Sequence, residues 1–414
     1  MAFERKKRGG GVIVGLDVGT TKICAIAGEI AEDGVNILTV SSHPSTGLRK
    51  GVVIDIDATA NSIRKAVEGV SGGAGMNVAE VYVGIAGSHI KSISSYGAVG
   101  IKGKEVSHED VERVIDSASA VYVPLDREML HVIPTDFILD GQEGIKDPVG
   151  MAGVRLEAKV HIVTGAVSSV QNLIKCCERA GLDVVDIVLQ PLASAEATLT
   201  ADERDMGVAL VDIGGGTTDI AVYKDGWLRH TAVIGIGGNH FTNDISIGLR
   251  LPFAEAERIK KQYGTVLPYE ANDGTEMSVI GADGQIREMP RKYLAEIIQP
   301  RCDELLDLVR QELEVPQNSG IGISEVVLTG GASLLSGLDR TAESVFSMPV
   351  RLGSLGHVSG LGGECNSPIY ATGVGLVLFA ADSMLPPDSG VFSADVFNKV
   401  MDTMTGWFKK IVSR

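Results

Sequence analysis

Two stretches of this chain repeat one another. "VALVDIGGGTTDIAVYKDG" runs from Val208 to Gly226, and "VIVGLDVGTTKICAIAGEI" runs from Val12 to Ile30. Each reads as a buried strand, a turn of glycines and threonines, and a second strand. A third strand follows in both copies: "VNILTVSS" after the first and "WLRHTAVIGI" after the second. The latter is entered through Asp225-Gly226, a strong hairpin-turn signal. Asp17 and Asp212 stand at equivalent positions, 195 residues apart. A repeated unit of that size predicts two related domains facing each other. With 414 residues, 44% of them hydrophobic, the chain can fill two or three cores.

The residue types in the turns point to an anion. Glycines let backbone N–H groups converge without a Cβ in the way. Threonine hydroxyls add donors, and Lys22 is a point charge for a phosphate. An aspartate at the end of the first strand repels phosphate, so Asp17 and Asp212 make sense with Mg²⁺ between them and the anion, usually through water. On this reading Gly19, Thr20, Thr21 and Lys22 face Gly214, Gly215, Gly216, Thr217 and Thr218 across a cleft and grip a triphosphate from both sides. A single copy could be no more than a tight hairpin; two copies with matched aspartates make that reading a poor one. "ISEVVLTGGASLLSGL" (Ile323–Leu338) adds a strand, a Gly-Gly turn and a helix opened by Ser333. Gly330, Gly331 and Ala332 would back an adenosine there, and Gly238, Asn239 and Asn243 complete the nucleotide-contacting set.

Composition removes several alternatives. A net charge of −16 argues against broad nucleic-acid binding. The five cysteines are Cys24, Cys176, Cys177, Cys302 and Cys365, an odd and scattered set with no CxxC pair. They predict neither a disulfide framework nor a zinc site and suit a reducing compartment. Cys24 reads as core. His89, His108, His131 and His161 have no metal spacing and are expected to face solvent or pack locally. Asp17 and Lys22 interrupt the first apolar run, so it is no signal peptide, and no apolar window is long enough to span a membrane.

These motifs resemble the actin-like ATPases: "LDVGTTK" and "LVDIGGGTTDIAV" the two phosphate motifs, "VVLTGGAS" the adenosine motif, "LQPLASAEAT" (Leu189–Thr198) and "IYATGVGLVL" (Ile369–Leu378) the two connecting helices. Within that superfamily, "REMLHVIPTDFILDGQEGIKDPVGMAGVRLEAKVHIV" resembles the inserted subdomain of the bacterial cell-division FtsA family. So do "KYLAEIIQPRCDELLDLV" and "LTGGASLLSGL". The resemblance implies an α/β, two-domain actin-like fold with a nucleotide cleft, and an ATP-binding protein that polymerises on the cytoplasmic membrane face. It further implies that the protein tethers FtsZ filaments at the septum. It places Arg301 where the FtsZ C-terminal peptide binds, and it implies other division proteins as partners of the insert. Gln190, just before Pro191, is the candidate to orient water, with Asp212 beside it and at most slow hydrolysis. A pilus-assembly actin homologue or a small-molecule kinase are the alternatives, and neither has use for the C-terminal tail described next.

The expected layout is a first domain core of residues 1–87, 164–200 and 369–381, and an α+β insert of 88–163 with its one helix capped by Ser107 and Asp110. A second core takes 201–236 and 310–368, with an accessory part at 237–309 that includes a long amphipathic helix containing Pro300. A linker (382–390) and a terminal helix (391–414) complete it. In the tail, Phe397, Val400, Met401, Met404, Phe408 and Ile411 fall on one helical stripe, flanked by Trp407. Lys409 and Lys410 add positive charge. That pattern predicts an interfacial helix on anionic lipid.

Overall fold

The computed structural model describes residues 11–31, 34–271, 274–356, 358–360, 362 and 366–384. The tail stripe from Phe397 to Ile411 and most of the predicted linker lie outside them.

The first repeat opens with the strand Ile13–Val18, buried at every position. A central strand covered on both faces reads as continuous apolar sequence, which is why "IVGLDV" carries a single polar side chain. It pairs antiparallel with Lys22–Ala31, which pairs antiparallel with Gly34–Pro44. On its other side come Glu80–Ile85 and then Asp183–Leu189, both parallel. The second repeat copies this order. Val208–Ile213 is antiparallel to Thr218–Lys224, and that strand to Trp227–Ile234. Beyond it lie Glu325–Thr329 and Val350–Leu352, both parallel. Asp225 and Gly226 both take positive φ (57° and 80°), the two-residue hairpin geometry their sequence favours.

Two helices cross between the sheets. Gln190–Thr198 and Ala371–Met384 are almost wholly buried. They meet backbone to backbone: a Cβ on Gly375 would lie 1.7 Å from the Ala193 carbonyl oxygen. The second helix runs on through Asp382, Ser383 and Met384, three residues expected to be linker.

The insert is a four-stranded antiparallel sheet in the order Lys91–Gly100, Arg155–Ala166, Arg127–Leu139, Gln142–Ile145. Helix His108–Ser119 packs on it, opened by the predicted capping box of Ser107 and Asp110. Although the insert leaves and re-enters the chain in the first half, it packs on the edge strand of the second. Phe137 meets Trp227 edge-on at 6.2 Å. Arg229 donates to the Thr135 carbonyl at 2.8 Å, and a His161 ring nitrogen pairs with the Thr231 hydroxyl at 2.8 Å. His131 and His161 are thus core residues, while His108 is exposed.

The long helix spans Arg291–Asn318 with Pro300 and Pro316 inside. Its buried face, including Leu294, Ile298, Cys302, Leu305, Val309 and Leu313, joins the core of the second sheet. No helix among the described residues is long and apolar enough to cross a membrane.

Candidate functional site

Both hairpin turns close the same way. The Gly19 N–H donates to the Lys22 carbonyl at 3.1 Å, and the Gly214 N–H to the Thr217 carbonyl at 3.0 Å. The registers match as well, with Asp17 opposite Cys24 and Asp212 opposite Asp219. Thr20 therefore corresponds to Gly215, Thr21 to Gly216 and Lys22 to Thr217. The two turns dovetail. A Cβ on Gly215 would sit 1.8 Å from Thr21 Oγ1, and one on Gly216 would sit 2.6 Å from Thr20 Oγ1. The glycines were expected to clear room for an anion; they also clear room for the opposing threonines. Thr20 Oγ1 accepts from the Gly51 N–H at 3.0 Å, and Thr21 Oγ1 donates to Asn239 Oδ1 at 3.3 Å. Lys22 Nζ donates to the Ile369 carbonyl and lies 4.3 Å from the Tyr370 ring centre, so its charge rests against the entry to the second crossing helix.

Behind the turns lie three buried carboxylates. Asp17 accepts from Gln190 Nε2 at 3.0 Å. Asp212 accepts from Ser194 Oγ at 2.7 Å and Thr372 Oγ1 at 3.4 Å, one from each crossing helix. Asp219 accepts from Thr217 Oγ1 at 2.9 Å through one oxygen, while its Oδ1 is buried with no partner. Burial pushes the Asp17 carboxyl up to about 6, with Lys22 pulling against it and Asp212 adding to it. Burial and then the Asp212 charge push Asp219 up to about 8. Asp212 is raised by burial against its two hydroxyl donors. Carboxylates so placed resist being charged together, and a divalent cation is the chemistry that relieves them. No group of three or more His, Cys, Asp or Glu among the described residues is arranged to hold a metal directly. The orphan Asp219 oxygen and the glycine-lined turns fit a magnesium-bound polyanion.

Asp219 was legible as the last residue of "GGGTTD" but carried no assigned role. Ser194 and Thr372 had no sequence signal, because each reaches Asp212 from a distant segment.

The third motif departs from expectation in one respect. Ser333 does not open an α-helix: Gly331–Leu334 is a short 3₁₀ turn in which Ser333 Oγ donates to the Gly330 carbonyl. The α-helix begins at Leu338. Gly330 takes φ 82°, and a Cβ there would lie 2.3 Å from Asp212 Oδ1, so this turn presses against the second hairpin. Ala332 packs 3.3 Å from where a Gly238 Cβ would be. Helix Gly238–Leu249 starts on the second turn, the Gly238 and Asn239 N–H groups donating to the Gly214 and Gly215 carbonyls at 2.8 Å each. Asn243, one turn further along, is exposed. Lys260 Nζ, paired with Glu257, reaches the Gly238 carbonyl at 2.9 Å, a residue the motifs did not single out. Arg301 stands apart from the hairpins, on the long helix, with its guanidinium on Asp244 at 2.7 Å.

Two sheets of one topology, related by duplication and joined through two crossing helices with hairpins converging between them, define an actin-like two-domain fold. Solved structures agree at the level of fold. The PilM-PilN type IV pilus biogenesis complex matches with a TM-score of 0.67 at 18% identity, over 90% of this chain and 99% of that one. MreB5 of Spiroplasma citri bound to ADP matches at 0.55 and 18%, over 90% and 97%. Family profiles match "Cell division protein FtsA" over residues 209–375 and "SHS2 domain inserted in FTSA" over residues 87–164. The FtsA of Pseudomonas aeruginosa is 48% identical over 372 residues, 89% of each chain. That of Neisseria meningitidis serogroup B is 44% identical over 384 residues, 91% of this chain and 92% of the relative. That of Escherichia coli K12 is 39% identical over 411 residues, 97% of each. The chain belongs to the FtsA family of cell-division proteins. Its likeness to the pilus protein is one of fold.

Proposed function

We propose that this chain binds ATP with Mg²⁺ between its two hairpins, polymerises on the cytoplasmic face of the membrane, and tethers FtsZ filaments there at the division septum. The observation that carries the nucleotide reading is the dovetailing of two matched turns in front of three buried carboxylates. Asp17 and Asp212 hold Mg²⁺, with Asp219 behind them. Gly19 to Lys22 and Gly214 to Thr218 hold the phosphates. Gly330, Gly331 and Ala332 back the adenosine, with Gly238 and Asn239 beside them and Asn243 at the margin. When bound, the Mg²⁺ ion would supply the countercharge these carboxylates lack, and the nucleotide a phosphoanhydride that can be hydrolysed. Gln190, held on Asp17, orients water; an amide is a poor base, so turnover is slow. The ADP bound to a Spiroplasma citri MreB5 of the same fold supports this reading.

Membership of a division family supports FtsZ as partner, and Arg301, fixed by Asp244, presents the long-helix surface for the FtsZ peptide. The insert recruits other division proteins. The tail from Val391 onward lies on anionic lipid. Burying its large apolar side chains is worth roughly 1.5–3 kcal/mol each, against about 1 kcal/mol per lysine, and filaments multiply both.

Sedimentation with anionic liposomes tests the membrane half. A truncation after Gly390 is expected in the supernatant, and Trp407→Glu to lose more binding than Lys409→Gln. Equal pelleting of truncated and intact protein sinks it. Equilibrium ATP binding tests the other half: Asp212→Ala is expected to lose tens of times in affinity, and unchanged affinity rejects the site.

A further inference from the structure

Gln190 reaches the first hairpin from the start of a helix that has no side-chain cap of its own, since its N-cap residue is Leu189. The Leu189 N–H is instead taken up by the insert. It donates to His131 Nε2 at 3.0 Å, between residues 58 apart in sequence. An accepting ring nitrogen carries no proton, so the neutral ring holds its proton on Nδ1. Burial, with about 1% of the residue exposed, keeps the ring neutral and lowers its pKa to about 4. Nδ1 has no partner. A buried donor left without an acceptor costs stability, so the ring accepts that cost while satisfying Leu189. One residue on, the Gln190 side chain lies flat over the neighbouring strand: a Cβ on Gly84 would be 3.1 Å from Gln190 Cγ and 3.4 Å from Nε2. Held from below in this way, the amide meets Asp17 Oδ1 at 3.0 Å.

We propose that His131 is a positioning residue for the nucleotide site: by accepting the Leu189 N–H it fixes the start of the first crossing helix and holds the Gln190 amide on Asp17. The inserted domain thereby becomes part of the machinery that acts on a bound nucleoside triphosphate. This rests on the ATP-binding reading above. His131 belongs to the strand Arg127–Leu139, and further along that strand Thr135 and Phe137 touch Arg229 and Trp227 of the second half. One strand of the insert thus contacts both the helix that carries Gln190 and the opposite domain.

The test compares His131→Leu, which removes the acceptor, with His131→Gln, which keeps one, in the full-length chain; His131→Phe is a second acceptor-free variant should leucine fold poorly. Amide exchange at Leu189, measured without nucleotide, is expected to quicken about tenfold or more in the acceptor-free variants and to stay slow in His131→Gln. Single-turnover ATP hydrolysis is expected to fall about tenfold in His131→Leu, with affinity for a non-hydrolysable ATP analogue changed by less than about threefold, and His131→Gln recovering most of the rate. Gln190→Leu should lose as much, and the double variant no more than either single one, because both remove the same placement. Multiplicative losses, intact turnover in His131→Leu, or unchanged exchange at Leu189 would each overturn the proposal. Parent protein that binds ATP without hydrolysing it also overturns it and leaves the binding reading standing. Parent protein that binds no ATP defeats the reading itself, with the exchange experiment still reporting on the His131–Leu189 bond.

Discussion

Opposite Asp17 in the first hairpin stands Cys24, fully buried and apolar in character; opposite Asp212 in the second stands Asp219, also buried and half unsatisfied. The turns differ in the same complementary way. The first offers Thr20, Thr21 and Lys22, and the second offers Gly215, Gly216 and Thr217, at the same places in the same backbone. The two halves share the order of their five principal strands and the turn hydrogen bond, while side chains are divided: bulk and a positive charge on one side, bare backbone and an extra carboxylate on the other. Two identical turns could not approach so closely, since threonine would meet threonine.

The division makes the mirrored substitutions unequal. Gly215→Asp places a Cβ where Thr21 already is and adds a negative charge beside the proposed phosphates. A loss of ATP affinity beyond about a hundredfold is expected, or about 3 kcal/mol. Thr20→Gly on the other side removes a hydroxyl and leaves space, so a loss under about tenfold is expected. Titration of both variants with a fluorescent ATP analogue checks this, and equal losses would mean the hairpins are interchangeable.

A smaller effect separates the halves by pH. The insert buries two histidines, His131 and His161, and burial lowers both to about 4. Their unfolded forms gain protons near pH 6.5 while the folded forms do not, so the stability they contribute is complete above about pH 6.5 and is lost as pH falls toward 4. Asp219 acts in the other direction: raised to about 8, it costs nothing below about pH 4 and destabilises progressively as pH climbs toward 8. Urea unfolding at pH 7 and 5 should show that His161→Asn removes about 2 kcal/mol of the parent's acid loss. Asp219→Asn should gain on the parent as pH rises. A parallel pH response in both variants would contradict the contrast.

The smallest effect sharpens where the insert is fastened. Lys146 and Asp205 form an exposed ion pair at 2.9 Å between the insert and the second half. Lys146→Ala is expected to cost under about 0.5 kcal/mol in the same urea measurement. A larger loss would shift weight from the contact of buried Phe137 with half-buried Trp227 to this pair.

Elements whose determinants are local were legible in the sequence. The strand–turn–strand pairs, the Asp225-Gly226 hairpin and the Ser107–Asp110 cap all follow from residues within a few positions of one another, and the structure has them. Asp17, Asp212 and the glycines came from the same local pattern. What could not be read depends on approach from afar. Ser194 and Thr372 reach Asp212 from segments 18 and 160 residues away. His131 satisfies a backbone group in another domain. The docking of the insert on Trp227–Ile234 depends on the fold of two halves at once. Ser333 misled because a serine after Gly-Gly looks like a helix cap, whereas its hydroxyl turns back to Gly330.

The crossing of Gln190–Thr198 with Ala371–Met384 has a mechanical meaning. With no side chain between Gly375 and the Ala193 carbonyl, the helices behave as a pin joint rather than a cushioned contact. Sliding one along the other would drive neighbouring side chains into the backbone, and pulling them apart would open a void that nothing nearby can fill. Angular motion is the freedom that remains. A single methyl group at Gly375 would act as a wedge in the bearing.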